Sequence, residues 1–78
     1  MTRKEIMDKV AETVAETLSI EVGELDESTS FDDYDADSLD RLEVLVALED
    51  ALGVEIDDDD ASQLKTVGDL VDAIERRL

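Results

Sequence analysis

The serine of Asp37-Ser38-Leu39 is the residue of this sequence best placed for chemistry, and its surroundings decide which chemistry. The chain holds no histidine and no cysteine. A Ser-His-Asp triad cannot be assembled, so no base stands ready to make the hydroxyl a nucleophile. Paired carboxylates could act as acid and base, but only in a cleft that drives their proton affinities apart. The acids here fall on faces expected to meet water, so catalysis by the chain itself is not expected. As the first residue of a helix, Ser38 would present its hydroxyl outward, near free backbone amides and the positive end of the helix dipole. That setting suits a phosphate ester. Ser38 therefore reads as a residue to be modified. The alternative is an ordinary exposed serine at a helix start, with the neighbouring acids serving only as caps.

Metal chemistry is the next possibility. Asp33, Asp35 and Asp37 match the opening of a calcium-binding loop. The glycine needed at its sixth position is Ser38, and the bidentate glutamate of its twelfth is Val44. The run Asp57-Asp58-Asp59-Asp60 fails likewise, with Ser62 and Gly68 at those places. No dedicated metal site is expected, only loose attraction of divalent ions. Without cysteine, disulfides and thiolate zinc sites are excluded.

The elements that must position Ser38 are helical. Thr2 and Glu5 form a capping-box pattern ahead of a helix over 3–17, with Ile6, Val10, Val14 and Leu18 on its apolar face. Residues 19–36 make a long connection anchored by Ile20, Val22, Leu25, Phe31 and Tyr34, with a turn near 26–30 and a buried Phe31. Asp37 and Asp40 cap a second helix over 38–52, which Gly53 ends. Leu42, Leu45, Leu48 and Leu52 are expected to form its core face. Leu39, Val44 and Val46 lie off that face, so the helix is apolar nearly all round and should touch partners. After an extended step at 54–56, a short helix is expected over 57–63, with Ala61 and Leu64 facing inward. Thr66 and Asp69 cap a last helix with Val67, Leu70, Val71, Ile74 and Leu78 as its stripe. The expected fold is all-α: a small four-helix bundle, three main helices plus one short helix, with a long loop after helix 1.

Composition bounds the rest. Seventy-eight residues make one domain, 1–78, with a thin core. Forty-two per cent of residues are apolar and periodic, which argues against disorder. Twenty-four acids against seven bases give a net charge of −17. Such a surface repels nucleic acid and anionic membranes, and it attracts proteins with basic patches. The N-terminus leads into an amphipathic pattern and no apolar run reaches membrane-spanning length. A soluble, unprocessed, cytoplasmic monomer is expected.

The Ser38 motif does not stand alone. The stretch from Asp35-Ala36-Asp37-Ser38-Leu39-Asp40-Arg41-Leu42-Glu43 through Val44-Leu45-Val46-Ala47-Leu48-Glu49 closely resembles an acyl carrier protein. The resemblance takes in Thr29-Ser30-Phe31 before the motif, Val54-Glu55-Ile56 followed by acids and Ala61, and Thr66-Val67-Gly68-Asp69-Leu70. It covers essentially the whole chain, at the length of a free-standing carrier. The resemblance implies that Ser38, flanked by Asp37 and Leu39, receives a 4′-phosphopantetheine arm from coenzyme A through a magnesium-dependent phosphopantetheinyl transferase. The arm's thiol would carry acyl groups as thioesters between enzymes of fatty-acid biosynthesis or a related pathway. Acyl-chain synthases, reductases, dehydratases and acyltransferases with basic docking patches are the partners it implies.

Helical spacing places Leu39, Glu43, Val46 and Asp50 on one face, flanked by Asp40 and Glu49, as a mixed apolar and acidic docking stripe. A solvated face is the plainer alternative for those acids. Family members often sequester the acyl chain between helices, and Leu42, Leu45, Leu48, Ile56, Ala61, Leu64, Val67 and Ile74 could line such a space or be ordinary core. Three positions depart from the family pattern: Asp35 where glycine is common, Asp57 where proline is common, and the basic Arg41 near the arm. They keep a polyketide or other dedicated carrier open as the alternative cargo class. An unmodified acidic helical interaction domain is the alternative of another kind.

Overall fold

The computed structural model describes residues 1–34 and 36–78, with the side chains of Asp58 and Asp60 outside that description. The expectations placed on Asp35, and on the acids of the short helix, lie partly outside the described residues. The four helices are α1 (Arg3–Leu18), α2 (Ser38–Leu52), α3 (Asp58–Ser62) and α4 (Val67–Arg77), and no strand occurs among the described residues.

Three helices start on reciprocal caps, each satisfying two backbone donors that a helix start leaves orphaned. Thr2 Oγ1 accepts from Glu5 N at 3.2 Å while Glu5 Oε1 accepts from Thr2 N at 2.9 Å. The Thr2 backbone N–H first, then its hydroxyl, hold the Glu5 carboxyl below its ordinary value. At α4, Thr66 Oγ1 accepts from Asp69 N at 3.1 Å, and Asp69 Oδ2 returns to both Thr66 N and Lys65 N at 3.1 Å. Gly53 ends α2 at φ 67°, a left-handed conformation that glycine adopts without steric cost. Ser19 does the same for α1 at φ 59°, one residue later than the spacing had put the end.

The core is aliphatic. Ile6, Val10 and Val14 of α1 meet Val44, Leu45 and Leu48 of α2 and Val67, Leu70, Val71 and Ile74 of α4, closed by Phe31, Ile56 and Leu64 from the connections. Two expectations fail on α2. Leu42 is 55% exposed, whereas Val44 is 1% exposed. At 3.6 residues per turn, Val44, Leu48 and Leu52 repeat every four residues and share the inner face with Leu45. Leu42 comes round beyond its edge. Two smaller expectations fail as well. Val22 in the long connection is exposed, and so is the terminal Leu78, which lies past the last turn of α4.

The long connection is ordered by its contacts with α4. It contains two 3-10 turns, Val22–Glu24 and Phe31–Tyr34. Phe31 N donates to Lys65 O at 3.1 Å, Val67 N to Thr29 O at 2.9 Å and Gly68 N to Glu27 O at 2.8 Å. A Cβ at position 68 would stand 2.7 Å from the Glu27 carbonyl oxygen, so this approach requires glycine. Asp26 secures the expected turn by accepting from Ser28 and Thr29, and these bonds hold its carboxyl below the usual range. Arg3 then ties the connection to two helices, pairing with Glu27, with Asp72 at 2.8 Å and with Glu75 at 3.6 Å. Phe31 is buried as expected, which fixes the chain seven residues before Ser38.

Candidate functional site

Ser38 opens α2 and is exposed. Asp37 supplies the cap: its Oδ1 accepts from Asp40 N at 2.9 Å, and Asp40 Oδ2 lies 3.4 Å from Asp37 N. The amides of Ser38 and Leu39 belong to the first turn and have no intrahelical acceptor. The hydroxyl thus stands beside two backbone donors and the positive end of a fifteen-residue helix. The sequence holds no histidine to act as its base.

Arg41 occupies the position where the inner face of α2 reaches the preceding loop. Its guanidinium carbon lies 5.9 Å from the centroid of the Phe31 ring, and Nη2 donates to Asp32 Oδ1 at 2.5 Å. The charge-assisted bond and the ring contact join α2 to the turn that leads into Ser38. Nε of the same group is buried and, among the described residues, has no acceptor. A buried donor left without a partner costs about 1–3 kcal/mol. The sequence alone marks Arg41 only as a basic residue near the motif. Its spacing of three from Ser38 is the signal that places both on one helix face.

An open cleft of about 390 Å³ adjoins the serine, lined by Ser38, Arg41, Leu42, Leu45, Ala61 and Ser62. Of the residues expected to line an acyl space, Leu42, Leu45 and Ala61 face this cleft. Leu48, Val67 and Ile74 lie in the closed core, whereas the buried Ile56 borders the larger cleft at the far end of α2 and the buried Leu64 a small one beside α4. Ser62 on α3 was not anticipated; the boundary of so short a helix carries little sequence signal.

On the outward side of α2, Leu39 is 61% and Val46 52% exposed, with Glu43 and Asp50 exposed between and beyond them. The two flanking acids differ. Asp40 is engaged in the cap, and Glu49 Oε2 accepts from Ile56 N at 2.9 Å, pinning the segment after α2. Both are partly buried. A larger cleft, of about 600 Å³, lies at the far end of α2 and is crossed by Arg77, which bonds Glu55 O at 2.9 Å and Asp57 Oδ1 at 2.8 Å. It does not include Ser38. Among the described residues no group of acids is arranged to hold a metal ion, and no helix is long and apolar enough to cross a membrane.

Comparison with known proteins gives one answer along the whole chain. The family described as phosphopantetheine attachment site matches residues 8–74. The acyl carrier protein of Exiguobacterium sp. (strain ATCC BAA-1283 / AT1b) is 46% identical, with the alignment covering 100% of both chains. That of Lactobacillus johnsonii is 44% identical over 95% of this chain and 94% of its own. Among solved structures, the acyl carrier protein from Enterococcus faecalis superposes with a TM-score of 0.83 at 38% identity, covering 100% of each chain.

Proposed function

This chain belongs to the acyl carrier protein family, and from that membership we propose that it carries acyl groups as thioesters on a 4′-phosphopantetheine arm attached to Ser38 Oγ. The observation that carries the proposal is the exposed Ser38 at the capped start of α2, in a chain similar to acyl carrier proteins from end to end.

The residues present fit the group. Ser38 offers an accessible hydroxyl, the Ser38 and Leu39 amides offer donors to a phosphate, and Arg41 Nε is a buried donor lacking an acceptor among the described residues. Leu42, Leu45 and Ala61 give the adjoining cleft an apolar wall. When bound, the arm supplies the thiol that this cysteine-free chain lacks. At attachment Ser38 Oγ bonds to phosphorus as the phosphoanhydride of coenzyme A breaks. Adenosine 3′,5′-bisphosphate leaves, and the hydroxyl proton passes to a base of the transferase. The chain's own part is to present the hydroxyl, and afterwards the cargo, to other proteins; it performs no catalysis.

Docking falls to Leu39, Glu43, Val46 and Asp50. Their exposed apolar and acidic groups would meet basic patches on the transferase and on synthases, reductases, dehydratases and acyltransferases of fatty-acid biosynthesis. Asp40 and Glu49, occupied within the fold, would contribute charge but little contact. A monomer working in the cytoplasm beside those enzymes completes the proposal. Arg41, a cation lining the cleft beside Ser38, favours a dedicated carrier of a related pathway as the second reading.

Intact mass after incubation with coenzyme A, magnesium and a broad-specificity transferase tests the attachment. The wild type gains one phosphopantetheine and Ser38→Ala gains none. Modification of the alanine variant would place the arm elsewhere.

A further inference from the structure

We propose that Arg41 is a positioning residue for the arm. Its Nε–H donates to the phosphodiester that joins the arm to Ser38, and so lays the arm into the cleft between α2 and α3. This inference rests on the attachment proposed above.

Placement comes first. Arg41 follows Ser38 by three residues, which puts the two side chains on neighbouring positions of one helix face. Both line the same cleft, whose remaining walls are Leu42, Leu45, Ala61 and Ser62. A phosphodiester on Ser38 Oγ would therefore enter the cleft on the side where the guanidinium stands.

Donor accounting comes second. Asp32 takes Nη2, while Nε, a buried donor, has no acceptor among the described residues. Buried guanidinium donors are ordinarily satisfied. An unesterified phosphodiester oxygen is an ionised acceptor of the kind that bonds strongly to a single guanidinium N–H. The Phe31 ring and Asp32 already fix the side chain, so little rotamer freedom is lost when the phosphodiester is bonded.

Charge comes third. The phosphodiester adds a negative charge to a chain already at −17, and it does so beside Asp32, Asp37, Asp40 and Glu43. Arg41 is the one basic residue of α2. Without it no basic side chain of α2 would offset those acids, and repulsion would turn the arm toward solvent.

The test is the Nε–H spectrum of the four arginines in ¹⁵N-labelled protein, before and after loading, with loading checked by intact mass. The Arg41 signal is assigned in the wild type by through-bond correlation from the Arg41 backbone. On loading it should shift more than those of Arg3, Arg76 and Arg77, and its exchange with water should slow. The ³¹P resonance of loaded Arg41→Gln should return toward that of free phosphopantetheine, displaced from the loaded wild type. A fully loaded wild type with an unmoved Arg41 Nε signal would overturn the proposal and leave Arg41 as a tie between α2 and the loop. This comparison needs no folded variant. A folded, initially unmodified wild type that gains no mass would instead overturn the attachment at Ser38, and this inference with it.

Discussion

Ser38 was legible at the scale of the single residue because its type, its neighbours and the absence of histidine all bear on one position. Arg41 was less so. Its charge was plain, but its stacking on Phe31 and its bond to Asp32 depend on where a loop ends up in space. Gly68 was not legible at all. Nothing in Val67-Gly68-Asp69 shows that the Glu27 carbonyl oxygen would lie 2.7 Å from a Cβ at that position. Gly68→Ala must push this backbone apart and lose or lengthen the 2.8 Å bond from Gly68 N to Glu27 O. A destabilisation of about 1–3 kcal/mol is expected, as for an overpacked site. Urea unfolding reads it directly, and an unchanged midpoint would mean that the loop shifts at no cost.

Among the elements, helix starts were read more securely than helix faces. Thr2–Glu5, Asp37–Asp40 and Thr66–Asp69 are local patterns, and each forms the reciprocal bonds its spacing implies. On α2 the structure departs from the expected phase, with Leu42 exposed and Val44 buried. The helix's apolar residues run nearly all round, so periodicity alone does not single out the inner face. The same excess leaves Leu39, Leu42 and Val46 exposed on the element that carries Ser38. If α2 is the docking element, Glu43→Lys should slow association with a basic partner while leaving the fold intact, because Glu43 is exposed. A fall of roughly three- to tenfold in kcat/KM for transferase loading is expected at low salt, narrowing as salt rises. Unchanged loading kinetics at low salt would move docking to another face.

Across the whole molecule, charge is the dominant fact. Arg3 offsets some of it by pairing with Glu27, Asp72 and Glu75, but seven bases cannot neutralise twenty-four acids. The remaining repulsion acts over a Debye length that falls from ~30 Å at 0.01 M salt to ~8 Å at 0.15 M. Tm should rise over that range, by about 4–8 °C for each kcal/mol of repulsion screened. A Tm that stays level or falls would show that the Arg3 pairs outweigh the net charge. The overall bundle was readable because its four helices are short-range patterns. The path of the long connection was not, since Arg3, Lys65, Val67 and Gly68 hold it from positions distant in the chain. The central claim, that the chain carries acyl groups as thioesters, is tested most directly by the mass of the loaded protein after acylation and again after neutral hydroxylamine. An acyl increment present on the arm-bearing form, removed by hydroxylamine and absent from Ser38→Ala is the predicted result. An increment that survives hydroxylamine, or that appears on the alanine variant, would contradict it.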